Sequence, residues 1–194
     1  MRYERSYKDA LQAAQKRGTT ASVPNIPKAK GKARGWFFSE FETIPITTRG
    51  IVMGQFRDDS CVAACARMLA ADRGIAVPES YLRDLLKIEA GGYLSDLPAT
   101  LKTIGIQARH EYRRDLTMAA LQQAVQSGVA VVYLEKPLLG GHAVVVEAIR
   151  EKFVTVRDPL PQGEGRGYQV RQKDFLRFWL LPDSDRGRAV IMVK

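Results

Sequence analysis

The chain has 194 residues, of which 45% are hydrophobic and 26% charged, and its formal net charge is +9. This length and composition are typical of one globular domain with an appendage, and they exclude a disordered or disulfide-dense chain. The positive charge is concentrated at one end, because residues 1–35 hold nine basic and two acidic side chains, a net of +7. A net of +2 is left for residues 36–194, so a basic nucleic-acid-binding core is not expected.

The N-terminal segment is predicted to lie outside the folded domain. Residues 3–17 have the pattern of a short amphipathic helix, and residues 18–35 (GTTASVPNIPKAKGKARG) offer almost nothing to bury and are predicted to be a flexible linker. We expect the globular domain to begin at Trp36 and to reach residue 194. No apolar run is long enough to span a bilayer and no signal peptide is evident, so a soluble protein that is not conventionally secreted is expected.

The domain's elements change from helices to strands along the chain. After the extended runs WFFSEF and TIPITT, helical patterns are predicted from Ser60 to Gly74, after Pro78, and from Ser95 to Thr103. A strand near 106–112 and a helix over 118–127 precede the β-rich runs, which are VAVVYLE, HAVVVEAI, KFVTVRD, GYQV and AVIMV, with a helix in RQKDFLRFW. Helices that precede an antiparallel sheet predict the α+β class.

A cysteine opens the first helical pattern. Cys61 follows Asp59 and Ser60, which are residue types that favour helix N-termini, so its thiol is expected in the first turn. Unpaired N–H groups and the helix dipole stabilise a thiolate there and lower the thiol pKa, although a small buried core residue is the alternative. Cys65 lies one turn later and is expected to face the core as a free thiol, because a disulfide within one helical turn would be strained.

Two histidines are available as a base for Cys61. His110 lies in the charged run ARHEYRR and is expected to be a solvated strand residue. His142 follows Gly140 and Gly141 and opens the run AVVVEAI, so its imidazole is expected to emerge from a turn at the end of a rigid strand. This placement favours His142 as the partner of the thiol, and a hairpin residue without a catalytic role is the alternative.

The strand that follows His142 ends at Asp158. If the two runs form an antiparallel hairpin through Arg150 and Glu151, the first residue of one strand lies beside the last residue of the next. A carboxylate at that position can accept a hydrogen bond from the imidazole Nδ1–H and so direct Nε2 at the thiol. The alternative for Asp158 is that it starts a turn with the proline that follows it.

Gln55 precedes Cys61 by six residues and lies on the chain that leads into the helix. Its side-chain amide can point, together with the backbone N–H of Cys61, at the oxygen of a tetrahedral intermediate. A glutamine before a helix is not specific by itself, so its interpretation depends on the cysteine, histidine and aspartate around it.

The ordered set Gln55, Cys61, His142 and Asp158 resembles the C39, or double-glycine, family of papain-like cysteine peptidases, which process bacteriocins. The intervals agree, and three runs carry the resemblance: DDSCVAACARM, GGYLSDLPATLKTIGI, and GGHAVVVEAI followed by VTVRDP. The resemblance covers about residues 50–180 and implies a papain-like fold in which a helical half, with the nucleophile at a helix start, packs on an antiparallel sheet that carries the histidine and the aspartate.

The resemblance also implies a role for each residue of the set. Cys61 would be the nucleophile, His142 the acid and base, Asp158 the residue that orients the histidine, and Gln55 the oxyanion donor. The expected substrate is a protein with an exposed Gly-Gly segment, after which the chain is cut. No cofactor, metal, nucleic acid or membrane is expected as a partner.

Two features depart from the family pattern. The family usually has Asp-Cys-Gly, whereas Ser60 separates Asp59 from Cys61 here and Val62 replaces the glycine. Leader-processing members are commonly fused to a transporter, and this chain has no membrane segments. The sequence is more similar to stand-alone papain-like domains of bacterial toxins, which implies an effector that acts in the cytoplasm, including that of a target cell, and has a cognate immunity protein.

Two other functions are kept as alternatives. The same triad can support acyl transfer to a protein or deamidation of one, because a thioester is open to attack by an amine or by water. A non-enzymatic module could instead dock on nucleic acid through the basic residues 1–35. The second alternative leaves the ordered glutamine, cysteine, histidine and aspartate unexplained.

Overall fold

The computed structural model describes residues 43–89, 91–113, 116–136, 140–179 and 188–193. The basic helix and linker predicted for residues 1–35, and the predicted start of the domain at Trp36, lie outside the described residues. Within them, most helices come early and most strands late, and an antiparallel sheet is covered by helices. The α+β prediction is therefore confirmed.

The early helices pack together on one face of the sheet. They are α1 (Cys61–Ala71), α2 (Glu79–Leu85) and α3 (Leu97–Thr103), the last preceded by a short 3-10 turn (Leu94–Asp96). Every residue of α1 is buried, because all its side chains except that of Arg67 are small or apolar and allow close contact with the sheet and with α2 and α3. The start of α1 is thereby brought into the interior beside the strands.

Among the described residues, the strands form one seven-stranded sheet in which every neighbouring pair is antiparallel. They are β1 (Thr43–Pro45), β2 (Ala108–Arg113), β3 (Val129–Lys136), β4 (Gly140–Arg150), β5 (Phe153–Asp158), β6 (Arg166–Arg171) and β7 (Arg188–Val193). Their order across the sheet is β1-β6-β5-β4-β3-β7-β2. β4 and β5 are therefore interior strands that lie side by side.

Apolar side chains cover both faces of the sheet. Two later helices, α4 (Met118–Gln126) and α5 (Gln172–Trp179), pack on the face opposite α1. Along β4 the side chains alternate, so that Ala143 belongs to the apolar cluster around α1 and Val144 to the cluster under α4 and α5. This two-sided burial explains why β4 has a continuous apolar run in the sequence.

The hairpin of β4 and β5 forms as predicted, but its turn lies one residue later. Arg150 pairs with Phe153, so the turn is Glu151–Lys152 and not Arg150–Glu151. A register shift between Val146 and Ala148 places an extra residue in β4, which keeps Arg150 within the strand. The last residue of β5 is brought next to the start of β4.

Candidate active site

The start of α1 carries Cys61 and is held from outside by α2. Ser60 occupies the N-cap position, but its side chain makes no capping hydrogen bond. Its hydroxyl instead contacts the guanidinium of Arg83, which also pairs with Asp59. The hydrogen bond from Arg83 is the main reason that the pKa of Asp59 is lowered. The two residues before Cys61 are therefore positioned by an ion pair with α2 and not by a serine cap.

Cys61 is 8% exposed as a residue, and its thiol has the imidazole of His142 as a hydrogen-bond partner. Burial alone would raise the pKa of Cys61, but the hydrogen bond and charge of His142 oppose it, helped by the backbone N–H groups of Ala143 and Val62. The pKa of Cys61 consequently lies below its ordinary value. The hydrogen bond and charge of His142 lower the pKa of Cys61 more than the Val62 N–H at the start of α1 does.

Cys65 behaves differently although it lies one turn along the same helix. It is fully buried in the apolar cluster around α1, as predicted, and both cysteines are free thiols. Burial raises the pKa of Cys65 well above its ordinary value, and the negative charges of Cys61 and Asp158 raise it further. Cys65 is therefore a neutral thiol of the core.

His142 is the third residue of β4 and is buried. Burial alone would lower its pKa, but the charges and hydrogen bonds of Asp158 and Cys61 raise the pKa of His142 to about 10. The ring therefore keeps a proton under conditions in which Cys61 can lose one. The arrangement favours a thiolate and imidazolium pair.

Asp158 is the fully buried last residue of β5, and its Oδ1 lies 2.7 Å from Nε2 of His142. The structure thus brings the two residues together, but the predicted ring nitrogen was wrong, because Nδ1 was expected to face the carboxylate. The β4–β5 register, continued by one pair, places Asp158 opposite Val144, two residues along β4 from His142. Nε2 is the ring nitrogen farther from the backbone, so it is the one that can reach this position.

Asp158 accepts hydrogen bonds from two further groups. The backbone N–H of Leu160 donates to Oδ1 at 2.8 Å, and the hydroxyl of Tyr168 donates to Oδ2 at 2.9 Å. Tyr168 lies on β6 and was not among the residues predicted for the site. The sequence showed only that a tyrosine lies in the predicted strand GYQV. Which residue of β5 this tyrosine meets depends on the loop between β5 and β6.

Gln55 is buried in the segment before α1. Its backbone is paired with the loop after β5, because its N–H donates to the carbonyl of Pro159 at 2.9 Å and its carbonyl accepts from Gly163 at 2.8 Å. Its Nε2 donates to the carbonyls of Arg57 at 2.8 Å and Asp58 at 3.1 Å. Both amide hydrogens are engaged in this way, so the role of Gln55 as oxyanion donor stays a prediction, and it requires one of these bonds to open.

A buried ion pair holds the residues on either side of Gln55. Arg67 of α1 is 5% exposed, Glu79 of α2 is 2% exposed, and Nη1 of the arginine lies 3.5 Å from Oε2 of the glutamate. The carboxylate of Glu79 accepts from the N–H of Phe56 at 3.0 Å, while Arg67 donates to the carbonyl of Gly54 at 3.3 Å. The guanidinium also lies 4.4 Å from the centre of the Phe56 ring. The segment is thereby tied to both helices.

The other histidine is remote from this site. His110 lies on β2 at an edge of the sheet, separated from β4 by β7 and β3, and it is half-buried rather than solvated. Within the described ranges, no group of three or more His, Cys, Asp and Glu side chains is placed to hold a metal ion. None of the helices in those ranges is long and apolar enough to cross a membrane. The chemistry that the site offers is that of a thiolate, an imidazolium and a carboxylate.

Comparisons with known proteins agree on this fold. The family model described as the Peptidase C39 family matches residues 51–181. The fold is similar to the peptidase domain of Streptococcus ComA, a bifunctional ABC transporter involved in a quorum sensing pathway, with 18% identity and a TM-score of 0.58 over 73% of this chain and 96% of that one. It is also similar to a C39-like peptidase from Bacillus anthracis, with 18% identity and a TM-score of 0.58 over 79% and 98% of the two chains.

A third similar structure is a double glycine motif protease from an AMS/PCAT transporter in complex with the leader peptide, with 15% identity and a TM-score of 0.55. The likeness covers 86% of this chain and 95% of that one. No curated protein matches the chain. At these identities the structural likeness indicates a shared papain-like α+β fold.

Proposed function

The chain belongs to the peptidase C39 family and is a cysteine peptidase, and from this we propose that it is an endopeptidase whose nucleophile is Cys61. His142 acts as the acid and base, and Asp158 orients it. One observation carries the proposal, which is the continuous hydrogen-bonded arrangement of thiol, imidazole and carboxylate in the interior. The depressed pKa of Cys61 and the raised pKa of His142 add support, because both favour the reactive ion pair.

In the first step, the Cys61 thiolate attacks the carbonyl carbon of the scissile peptide, and the π electrons of the carbonyl move to its oxygen. The first N–H groups of a helix have no intrahelical acceptor, so the backbone N–H of Cys61 is available to that oxyanion. Gln55 supplies a second donor once its amide turns away from one of the two loop carbonyls that it contacts. These donors stabilise the tetrahedral intermediate.

In the following steps, the intermediate collapses and His142 gives its proton to the leaving amine as the C–N bond breaks, which leaves a thioester on Cys61. A water molecule then gives a proton to His142 and adds to the thioester carbonyl. Expulsion of the sulfur releases the carboxylic acid product and restores the thiolate and imidazolium. Asp158 orients the ring and stabilises the imidazolium.

We further propose cleavage after Gly-Gly in an exposed, flexible segment of a protein. The similarity to a double glycine motif protease supports this specificity, and the chain packs tightly at two glycines beside the proposed nucleophile and base. The ring of Tyr133 occupies the space that a Cβ on Gly141 would need, directly before the histidine. Val62 follows the cysteine directly and lies close to Gly92, so a Cβ added to Gly92 would be only 3.0 Å from the Cβ of Val62. A substrate cleft that is equally narrow beside these residues would discriminate by steric exclusion of side chains.

The specificity is tested with two peptides that carry an apolar residue upstream of the cut and differ by one methyl group, one with Gly-Gly and one with Gly-Ala. The wild type should cut the first after the second glycine and the second much more slowly. Cys61→Ala should cut neither, whereas Cys65→Ala, the matched thiol control on the same helix, should retain turnover. Efficient cleavage of the Gly-Ala peptide would overturn the specificity and leave the peptidase chemistry intact.

The protein target is sought by comparing new N-termini in cells that express the wild type with those in cells that express Cys61→Ala. Intact mass of a candidate target then separates the reaction classes: fragments indicate hydrolysis, ligated species indicate acyl transfer, and a gain of about one mass unit indicates deamidation. If removal of residues 1–35 abolished the activity while Cys61→Ala preserved it, the nucleic-acid-binding alternative would replace the peptidase proposal.

The effector role predicted from the sequence is tested by expression in a bacterial cytoplasm. Wild-type protein should arrest growth, Cys61→Ala should not, and a cognate immunity protein should restore growth of the wild-type strain. Equal growth of the two strains would contradict the effector role, and the peptide assay would still decide the peptidase roles.

A further inference from the structure

The carboxylate of Asp158 is held by a residue from the core on the far side of the sheet. Tyr168 is fully buried in the apolar cluster under α4 and α5, opposite α1, and its hydroxyl donates to Oδ2 of Asp158. We propose that Tyr168 is a positioning residue that keeps Asp158 aligned with His142. This inference rests on the proposed roles of those two residues and adds a fourth side chain to the arrangement.

The hydrogen bonds of Asp158 are divided between its two oxygens. Oδ1 lies 2.7 Å from Nε2 of His142 and 2.8 Å from the N–H of Leu160, whereas Oδ2 accepts from Tyr168 at 2.9 Å. Because Oδ1 lies off the Cβ–Cγ axis, its two donors already oppose rotation of the carboxylate about that bond. The bond from Tyr168 opposes the same rotation at Oδ2, so without it the orientation of Oδ1 towards the imidazole is held less firmly.

The position of the Tyr168 ring is itself well determined. Tyr168 pairs with Val156, two residues before Asp158, so its hydroxyl reaches diagonally across from β6 to β5. Its ring belongs to the same close-packed cluster as Val154, Val170 and Phe175, which limits its movement. Burial raises the pKa of Tyr168 well above its ordinary value, and the charge of Asp158 raises it further, so the hydroxyl keeps its proton and stays a donor.

Removal of the hydroxyl would leave Oδ2 as a buried, charged acceptor that has lost its donor. Such a group is costly, and the carboxylate can recover a donor by turning. That rotation takes Oδ1 out of line with Nε2 of His142 and weakens the support for the imidazolium. The thiolate of Cys61, which depends on the imidazolium, then becomes less populated and less reactive.

The test is the rate at which iodoacetamide alkylates Cys61 at neutral pH, followed by intact mass and peptide mapping, because it needs no substrate. Tyr168→Phe should react about tenfold more slowly than the wild type, the scale of losing one hydrogen bond to a charged group. Thr155→Val is the matched control, since it also removes a hydroxyl from the β5–β6 pair. That hydroxyl accepts a hydrogen bond from the side chain of Gln169 at 3.4 Å. The control should react at the wild-type rate.

A second comparison asks whether Tyr168 acts through Asp158. In the Asp158→Asn background, Tyr168→Phe should cause no further loss of Cys61 reactivity. With a Gly-Gly peptide, Tyr168→Phe should lower kcat and leave KM within about twofold, as expected for a change in positioning. If the wild type failed to cut that peptide, the Gly-Gly specificity would be wrong, and the alkylation rates would still test Tyr168.

Three outcomes would overturn the inference. One is a folded Tyr168→Phe variant whose Cys61 is alkylated at a rate within about twofold of the wild type. Another is that Tyr168→Phe lowers the alkylation rate as much in the Asp158→Asn background as in the wild type. If Tyr168→Phe folds poorly, replacement of Tyr168 by 3-fluorotyrosine retains the ring and the hydroxyl and makes the hydroxyl a stronger donor. The inference expects that protein to react within about twofold of the wild type, and a loss of about tenfold in the alkylation rate although the hydroxyl is present is the third outcome.

Discussion

The buried pair of Arg67 and Glu79 leads to a stability prediction whose size follows from its contacts. Glu79→Ala removes the acceptor of the Phe56 N–H and leaves a guanidinium that is 5% exposed without its carboxylate. Removal of one partner from a buried ion pair costs about 3–5 kcal/mol. Because Arg67 keeps the carbonyl of Gly54 and the ring of Phe56, we expect the lower end, about 3 kcal/mol.

Urea unfolding followed by circular dichroism measures this loss, which is large against the total stability of about 5–15 kcal/mol that is typical of a domain. Glu79→Gln should lose less, because its carbonyl can still accept from Phe56. The double variant Arg67→Met, Glu79→Ala should be more stable than Glu79→Ala alone, because no buried charge is left unpaired. A loss below about 1 kcal/mol in Glu79→Ala would refute the reasoning, since that is the range of exposed pairs.

Three further predictions concern the proposed active site. Iodoacetamide should modify Cys61 well before Cys65, and equal labelling of the two cysteines in the folded protein would contradict the assignment. Because the pKa of Cys61 is lowered, the alkylation rate of Cys61 should decline only as the pH falls through that lowered value. His142→Ala should abolish turnover and move the decline to higher pH, whereas Asp158→Asn should leave a damaged but measurable enzyme. Gln55→Ala should lower kcat by roughly a hundredfold, and wild-type kcat would place the oxyanion donor elsewhere.

The elements of the fold could be predicted because local patterns specify them. The run VAACARML is helical by the spacing of its apolar residues, and only the structure showed that Arg67 is buried together with them. The runs that became β3, β4 and β5 are rich in β-branched residues and end in turn-forming residues, so their hairpin order followed directly. The meeting of His142 and Asp158 was predictable for the same reason, since two strands joined by a short turn bring their far ends together.

Details that depend on register were not predictable in this way. The turn lies one residue later than predicted, a register shift falls between Val146 and Ala148, and Nε2 of His142 rather than Nδ1 faces the aspartate. An irregularity of one residue in an apolar strand leaves no mark in the pattern of hydrophobic residues, because every position there is buried.

The sequence by itself determined which residue types could form a reactive thiol and base, and in which order along the chain they occur. The tertiary structure alone decided what holds them, because the contacts join segments that are distant in sequence. The amide of Gln55 turns to its own loop, the arginine and glutamate of two helices clamp that loop, and Tyr168 reaches Asp158 from another strand. These contacts arise when buried polar groups find partners during packing, and no local pattern specifies which partners will be near.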